Sequence, residues 1–188
     1  MINYGLIHKA NLFYERAGYQ RIESPWTVTK EISAITKPAD RRDIELVHEN
    51  NKVFVASGEQ SFLYLYAKSF LPRGQFCTTT PCGRFENYTA WNGKFFVKTE
   101  LIKTDSTTPE DLAKMIETAK ALFLQFFPAD GLIVKPTGEL SYDIEFRGIE
   151  LGSYGIRTCD FLRWVYGTGL AEPRTSRTLE KFNIPIPD

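Results

Sequence analysis

Two β-rich runs, residues 75–86 and 94–103, are joined by the polar segment 87–93, and this pairing constrains the fold more than any other stretch of the chain. A connection this short suits a hairpin and is too short for the crossover that parallel neighbours need. A long antiparallel hairpin is therefore predicted. Helical periodicity brackets it. Ile2, Leu6, Ala10, Phe13 and Ala17 recur every three or four residues and stop at Gly18, the pattern of an amphipathic helix ended by a glycine cap. Thr108-Pro109-Glu110-Asp111 is a helix start, with proline and acids in the first turn. Leu112, Met115, Ile116, Ala119, Phe123, Phe126 and Phe127 form the apolar stripe that follows, and Pro128 ends it.

The remaining segments complete the order. Residues 19–26 read as a strand that must stop or lie at an edge at Ser24-Pro25, because proline cannot donate to a ladder. Residues 43–47 and 52–56 flank Asn50-Asn51, a hairpin turn. Residues 60–70 are apolar and aromatic at near-helical spacing, closed by Pro72-Arg73-Gly74; residues 131–135, 140–147 and 148–157 read as successive strands; Pro173 opens a last helix through about Phe182. Helix, strands, helix, strands, helix predicts one α+β domain over residues 1–188, a largely antiparallel sheet flanked by helices rather than a doubly wound parallel one. At 188 residues and 43% hydrophobic the chain can fill a full core. Its 23 basic and 23 acidic side chains argue against a broad nucleic-acid footprint, and no run of 18 apolar residues exists to span a membrane. No leader pattern precedes residue 6, so a cytoplasmic location is expected. Cys77, Cys82 and Cys159 lack metal or disulfide spacing and read as reduced thiols.

Chemistry concentrates on the hairpin. Arg84 and Glu86, two apart on one strand, point to one face, and Phe96 and Glu100 can line the same face of the partner. A guanidinium for phosphate, a ring for a base and carboxylates for an amine suit a nucleotide. Taken singly, the same pattern describes a surface ion pair beside a core ring. Downstream, Asp143 and Glu150 are hard oxygen donors suited to Mg²⁺ between protein and phosphate. Residues 167–174 read as a glycine turn running into a helix, an approach for an anion with Arg174 beside it, or else simply a capped helix. His8, His48, Trp26 and Trp164 read as surface or packing residues, and Trp91 as either a stacking or an exposed ring.

Together these stretches resemble the catalytic core of class II aminoacyl-tRNA synthetases. Residues 14–26, with Pro25, look like the first motif of that class. Arg84, Glu86, Phe96 and Glu100 match the second, and Gly167, Gly169 and Arg174 the third, in the family's order across nearly the whole chain. Local wording is closest to seryl-tRNA synthetases: Ser57-Gly58-Glu59-Gln60 is similar to their substrate loop, Thr80-Pro81-Cys82 to the lead-in of their second motif, and Glu150 and Ser153 have the spacing of their metal-binding pair. Asp143, Glu150 and Arg157, seven apart each time, look like the strand before the third motif of aspartyl enzymes.

The resemblance implies ATP-dependent activation of a small polar or acidic amino acid as an aminoacyl-adenylate, by a stand-alone, AMP-forming ligase. In that reading Arg84 and Arg174 are catalytic. Arg84 neutralises the α-phosphate, Phe96 and Arg174 sandwich the adenine, and Glu86 orients its amino group or the substrate. Glu150 with Ser153 or Asp143 holds Mg²⁺, Glu59 and Glu100 bind the substrate's amino or polar group, and Arg157 reads an acidic side chain. The first motif implies a homodimer. Three departures bear on this: Gly83 replaces an aromatic, Asn92 replaces a basic residue that meets the γ-phosphate, and Arg84 to Phe96 spans only 12 positions. No anticodon-binding domain is expected, so the acyl group is expected to pass to a small molecule, carrier or protein rather than to a full tRNA. The alternatives are a non-catalytic binding or regulatory scaffold, motivated by Gly83 and Asn92, and a trans-acting tRNA helper.

Overall fold

Asn3 starts the first helix, α1 (Tyr4–Arg16), by accepting the Leu6 amide at 3.2 Å, and Leu6, Ile7, Ala10 and Tyr14 form its buried face. Gly18, at φ +90°, turns the chain out of it. The computed structural model describes residues 1–46, 51–85, 89, 91 and 93–186. After α1 come β1 (Gln20–Arg21), β2 (Thr27–Thr29), α2 (Lys30–Thr36), β3 (Ile44–Glu45), β4 (Lys52–Phe54) and α3 (Gly58–Ala67). The hairpin β5 (Gln75–Gly83) and β6 (Phe95–Lys103) follows, then α4 (Pro109–Phe123), β7 (Leu132–Gly138), β8 (Ser141–Phe146), β9 (Ile149–Cys159), β10 (Leu162–Glu172) and α5 (Arg174–Lys181).

Seven strands form one sheet in the order β1-β5-β6-β10-β9-β8-β7, antiparallel throughout except for the β1–β5 pair. β2, β4 and β3 make a small antiparallel sheet of their own. α1 and α4 bury their stripes on one face of the large sheet, around Tyr14, Met115, Phe123 and Tyr154. A Thr108–Asp111 capping box fixes the start of α4, reciprocal bonds of a kind worth about 1 kcal/mol per cap. The opposite face is only partly covered, by α3 and the small sheet through Val28, Val53, Phe62, Phe76 and Trp164. That open half of a central sheet is where a site can form. Among the described residues no helix is long and apolar enough to cross a membrane.

The α+β class, the antiparallel sheet, the long hairpin, α1 and α4 agree with the sequence reading. Four details differ. The strand expected over residues 19–26 is two short strands in different sheets, broken at Pro25. The helix expected at residue 60 begins earlier because Ser57 caps it, accepting the Glu59 amide at 3.2 Å. The 43–56 hairpin pairs Ile44 with Phe54 and Glu45 with Val53, and residues 47–50 lie outside the described residues. The largest correction concerns residues 167–172, which form no glycine turn but the end of β10, at the centre of the sheet. Glycine is required there by close packing. A Cβ on Gly167 would lie 2.6 Å from Tyr154, and one on Gly169 would lie 2.7 Å from Tyr14, whose hydroxyl donates to the Gly169 carbonyl at 2.9 Å.

Candidate functional site

Register sets the site. Thr78, Glu100 and Thr168 sit side by side on β5, β6 and β10, with Thr80 opposite Lys98 and Cys82 opposite Phe96 in the next rows. Alternation places Phe96, Lys98 and Glu100 on the uncovered face. From the far side, β9 and β10 add Ser153, Arg157, Tyr166 and Thr168, while the first turn of α3 brings Ser57 and Glu59 over the top. The enclosed cleft is about 330 Å³ and continues, past Arg84, Lys98, Glu150 and Thr168, into a narrower recess of about 50 Å³ lined by Phe96, Trp91, Ala171 and Arg174.

The base of the cleft is a set of closed ion pairs. Glu59, 5% exposed, accepts from Arg157 Nη1 at 2.5 Å and from the Trp164 indole at 2.7 Å. Burial raises the Glu59 carboxyl above the usual range, opposed by Arg157. On the guanidinium side burial works against the charge and Glu59 outweighs it, holding Arg157 protonated over the Tyr166 ring, 4.1 Å from its centre. Glu100, 2% exposed, accepts from Ser57 Oγ and Lys98 Nζ, both at 2.6 Å. One hydroxyl, Ser57, thus caps α3 and fixes a carboxylate on β6.

Arg84 lies one residue past β5, yet its amide still donates to the Lys94 carbonyl at 2.9 Å and keeps the hairpin geometry. Its guanidinium donates to the Ala56 carbonyl and stands 5.2 Å from the centre of the Phe96 ring, at the junction of cleft and recess. Across the recess, Arg174 donates to Glu150 Oε1 at 2.8 Å. The start of α5 itself is not an open anion site, contrary to the sequence expectation. Glu172, wholly buried, accepts the Ser176 amide at 3.0 Å, the Ser176 hydroxyl at 2.7 Å and the Asn3 amide at 3.0 Å. An added anion there would meet a carboxylate, so only the Arg174 side chain is offered to a ligand.

Of the residues singled out from sequence, Glu59, Arg84, Glu100, Glu150, Ser153 and Arg157 line the cleft, and Phe96 and Arg174 line the recess with Arg84 and Glu150. Asp143 pairs with Ser153 across β8 and β9. Burial first and the Glu150 charge second push its carboxyl upward, against a hydrogen bond from Ser153. Among the described residues no three His, Cys, Asp or Glu side chains group as a metal cage. Mg²⁺ does not need one, since it is usually held by one or two carboxylates plus substrate phosphates. The Asp143, Glu150 and Ser153 oxygens, with two acids crowded together, fit that donor set. Glu86 and Asn92 lie outside the described residues. Gly83 has a packing reason: a Cβ there would lie 2.8 Å from Ile44 and 2.9 Å from Phe54, so the small sheet fills the space of a larger side chain.

Sequence reasoning missed Lys98, although the period of two between Phe96 and Glu100 could have found it, and it missed Tyr166 and the bond from Trp164, read only as a surface or packing residue, to Glu59, both on a strand not recognised as one. It also missed Arg41 and Arg42, on the loop after α2, which line the cleft mouth.

Comparison with protein-family models and with curated proteins finds no match. Solved structures are similar. The cytoplasmic serine-tRNA ligase of Naegleria fowleri, in complex with AMP, superposes with a TM-score of 0.71 at 18% identity over 92% of this chain and 52% of that one. A pyrrolysyl tRNA synthetase structure from Desulfitobacterium hafniense gives 0.72 at 16% identity over 95% of this chain and 67% of that one. The seryl-tRNA synthetase of Pyrococcus horikoshii, complexed with ATP, gives 0.71 at 15% identity over 93% and 49%. The chain thus spans about half the length of the two seryl structures. Its fold is that of a class II aminoacyl-tRNA synthetase catalytic core.

Proposed function

We propose that this protein activates an amino acid with ATP, forming an aminoacyl-adenylate, and passes the acyl group to an acceptor other than a full tRNA. The observation that carries this is the convergence of Arg84, Phe96, Glu150 and Arg174 on one cleft whose other end holds Glu59, Glu100 and Arg157. In this reading adenine stacks at the recess lined by the Phe96 ring and the Arg174 guanidinium. Arg84, at the junction, meets the α-phosphate and neutralises charge that builds as the amino-acid carboxylate attacks in line. That carboxylate is already ionised at neutral pH, so no general base is required. The substrate's ammonium and small polar or acidic side chain fall among Glu59, Glu100 and Arg157. Asp143, Glu150 and Ser153 would hold Mg²⁺, which supplies charge neutralisation on the phosphates.

Holding the two reactants in register is itself worth much of the barrier, and the paired charges of the cleft are fixed before substrate arrives. The packing of Ile44 and Phe54 against Gly83 favours a working site over a decayed scaffold, because the departure from the family pattern is filled rather than vacant. The same reading carries a homodimer through α1 and the strand region around Pro25, to be checked by light scattering.

The test is amino-acid-dependent exchange of labelled pyrophosphate into ATP across the twenty common amino acids. One or a few small polar or acidic substrates should support exchange, and Arg84→Ala should lower it at least about a hundredfold with the circular dichroism unchanged. No exchange with any of the twenty, by folded protein, would remove the activity for the common substrates.

A further inference from the structure

We infer that the back of the large sheet carries a second binding site, for the zwitterion of a free amino acid, in the groove between the end of α1 and the first turns of α4. The groove holds about 630 Å³, within the range of small-molecule sites, and shares no lining residue with the cleft. Alternation fixes its side of the sheet. Gln75 and Lys103 sit opposite each other where β5 starts and β6 ends. Their neighbours Phe76 and Ile102 belong to the core under α3, whereas Cys77 and Leu101 belong to the core under α1 and α4. One residue further along each strand, Gln75 and Lys103 share the α1 and α4 side. The sheet thus separates the groove from the cleft, and this inference does not rest on the adenylate-forming reading.

The observation that points to a ligand is the side chain of Tyr19. The residue is 5% exposed, its ring lies edge-on to Tyr14 at 5.6 Å, and its amide donates to the Tyr14 carbonyl at 2.9 Å. Among the described residues its hydroxyl makes no hydrogen bond. Every fully enclosed side-chain oxygen or nitrogen among them has a partner. The Tyr19 hydroxyl is therefore not enclosed, and it opens into the groove that the residue lines. A nearly buried hydroxyl without a protein partner costs stability unless water or a ligand meets it. The partly buried Gln75 amide lines the same groove, and its side chain likewise makes no hydrogen bond among the described residues.

The other lining groups select the ligand. Lys103 donates to Asp105 at 2.7 Å and stands 3.8 Å from Asp111, so its charge is already matched. On α4, Lys114 and Glu117 are three residues apart and set a cation and a carboxylate on one face. The formal charges of the wall cancel, Lys103 and Lys114 against Asp111 and Glu117. A phosphate meets no net field there, while a molecule that bears both signs meets both. Tyr19 and Gln75 can each donate and accept, which suits the ammonium and the carboxylate of one α-amino acid. Met115 and Ala17 supply apolar wall for its side chain.

Methyl-labelled methionine gives a local reporter, because the chain has two methionines, the fully exposed Met1 and Met115 in the groove wall. The whole chain is titrated with each of the twenty common amino acids, and one or a few should move the Met115 methyl resonance saturably. Tyr19→Phe should weaken that binding on the order of tenfold, and Lys114→Gln/Glu117→Gln, on the exposed face of α4, should weaken it as well. Tyr19→Phe should also leave the ligand-free Tm at or above the parental value, since it removes a hydroxyl that has no partner in the protein. A lower ligand-free Tm overturns the proposal. So does a Met115 shift that both variants leave unchanged, because the amino acid then acts from the cleft. Acetate, methylammonium or orthophosphate binding as tightly as the best amino acid overturns the zwitterion. A Met115 resonance that moves with none of the twenty, or that follows protein concentration alone and so assigns the groove to a second copy, overturns the site itself.

Discussion

Asp143 shows a conflict between stability and site chemistry at a single residue. Burial and the neighbouring Glu150 charge raise its carboxyl above the ordinary aspartate range, so the folded protein holds that proton more tightly than the unfolded chain does. Stability from this group is therefore full below about pH 3.9, the unfolded value, and is lost as pH rises through the raised folded value. Asp143→Asn should remove that part of the slope, leaving a variant more stable than the parent at neutral pH, with the gain shrinking toward acid. Urea midpoints at several pH values check this, and a variant with the parental slope would contradict it. If the carboxylate helps to hold Mg²⁺, the same stabilised variant should need more Mg²⁺ for exchange, a trade that a merely structural acid would not show. Single residues were partly legible in the chain. Phe96 and Glu100 follow from alternation on one strand, and the same rule reaches Lys98. The partnership of Glu59 with Arg157 and Trp164 does not follow, because it joins residues about a hundred positions apart on α3, β9 and β10.

At the scale of elements, β10 carries the greatest demand. It lies between β6 and β9, and its two glycines admit Tyr14 from α1 and Tyr154 from β9. Gly169→Ala should cost about 1–3 kcal/mol, since the added methyl meets Tyr14 and Thr99 in a packed interior. Chemical denaturation measures this, and a loss below a few tenths would mean that the packing relaxes freely. Glu172, at the end of the same strand, accepts three hydrogen bonds that tie α5 and the start of α1 to the sheet. Glu172→Ala strands the buried Ser176 donors and the half-buried Asn3 amide and should destabilise by about 2 kcal/mol. It should also raise the KM for ATP, because Arg174 begins the helix that Glu172 anchors. The helices α1 and α4 were legible from their apolar period, and the hairpin from its length and connection. β10 was not, because glycine signals a turn locally and close packing only in three dimensions. The short α2 and the small sheet leave little periodic signal, and their stability comes from contact with α3 and the end of β5.

For the molecule as a whole, the cleft is walled by parts of the chain that lie far apart in sequence. Its walls come from α3 and the 36–42 loop on one side, from the β6–β10–β9 face beneath, and from the start of α5 beyond. A nucleotide bridging Phe96, Arg84 and Arg174 would add a link across these parts in the folded state alone. Mass action then sets the scale: ligand at a hundred times its Kd stabilises by about 2.7 kcal/mol, which for a chain of this size is roughly 5–10 °C in Tm. Wild-type protein with saturating ATP and Mg²⁺ should show a rise of that order, and Arg84→Ala should melt at the parental temperature without ligand yet lose most of the rise. The ligand-free comparison matters, because Arg84 also donates to the Ala56 carbonyl, and a drop in the unliganded Tm would make its role partly structural. An ATP-induced rise retained in Arg84→Ala and lost in Arg174→Ala would move the nucleotide wholly into the recess and take Arg84 out of the reacting centre. A shift absent from wild-type protein at millimolar ATP would leave the class II fold intact and remove its use as an ATP-dependent ligase.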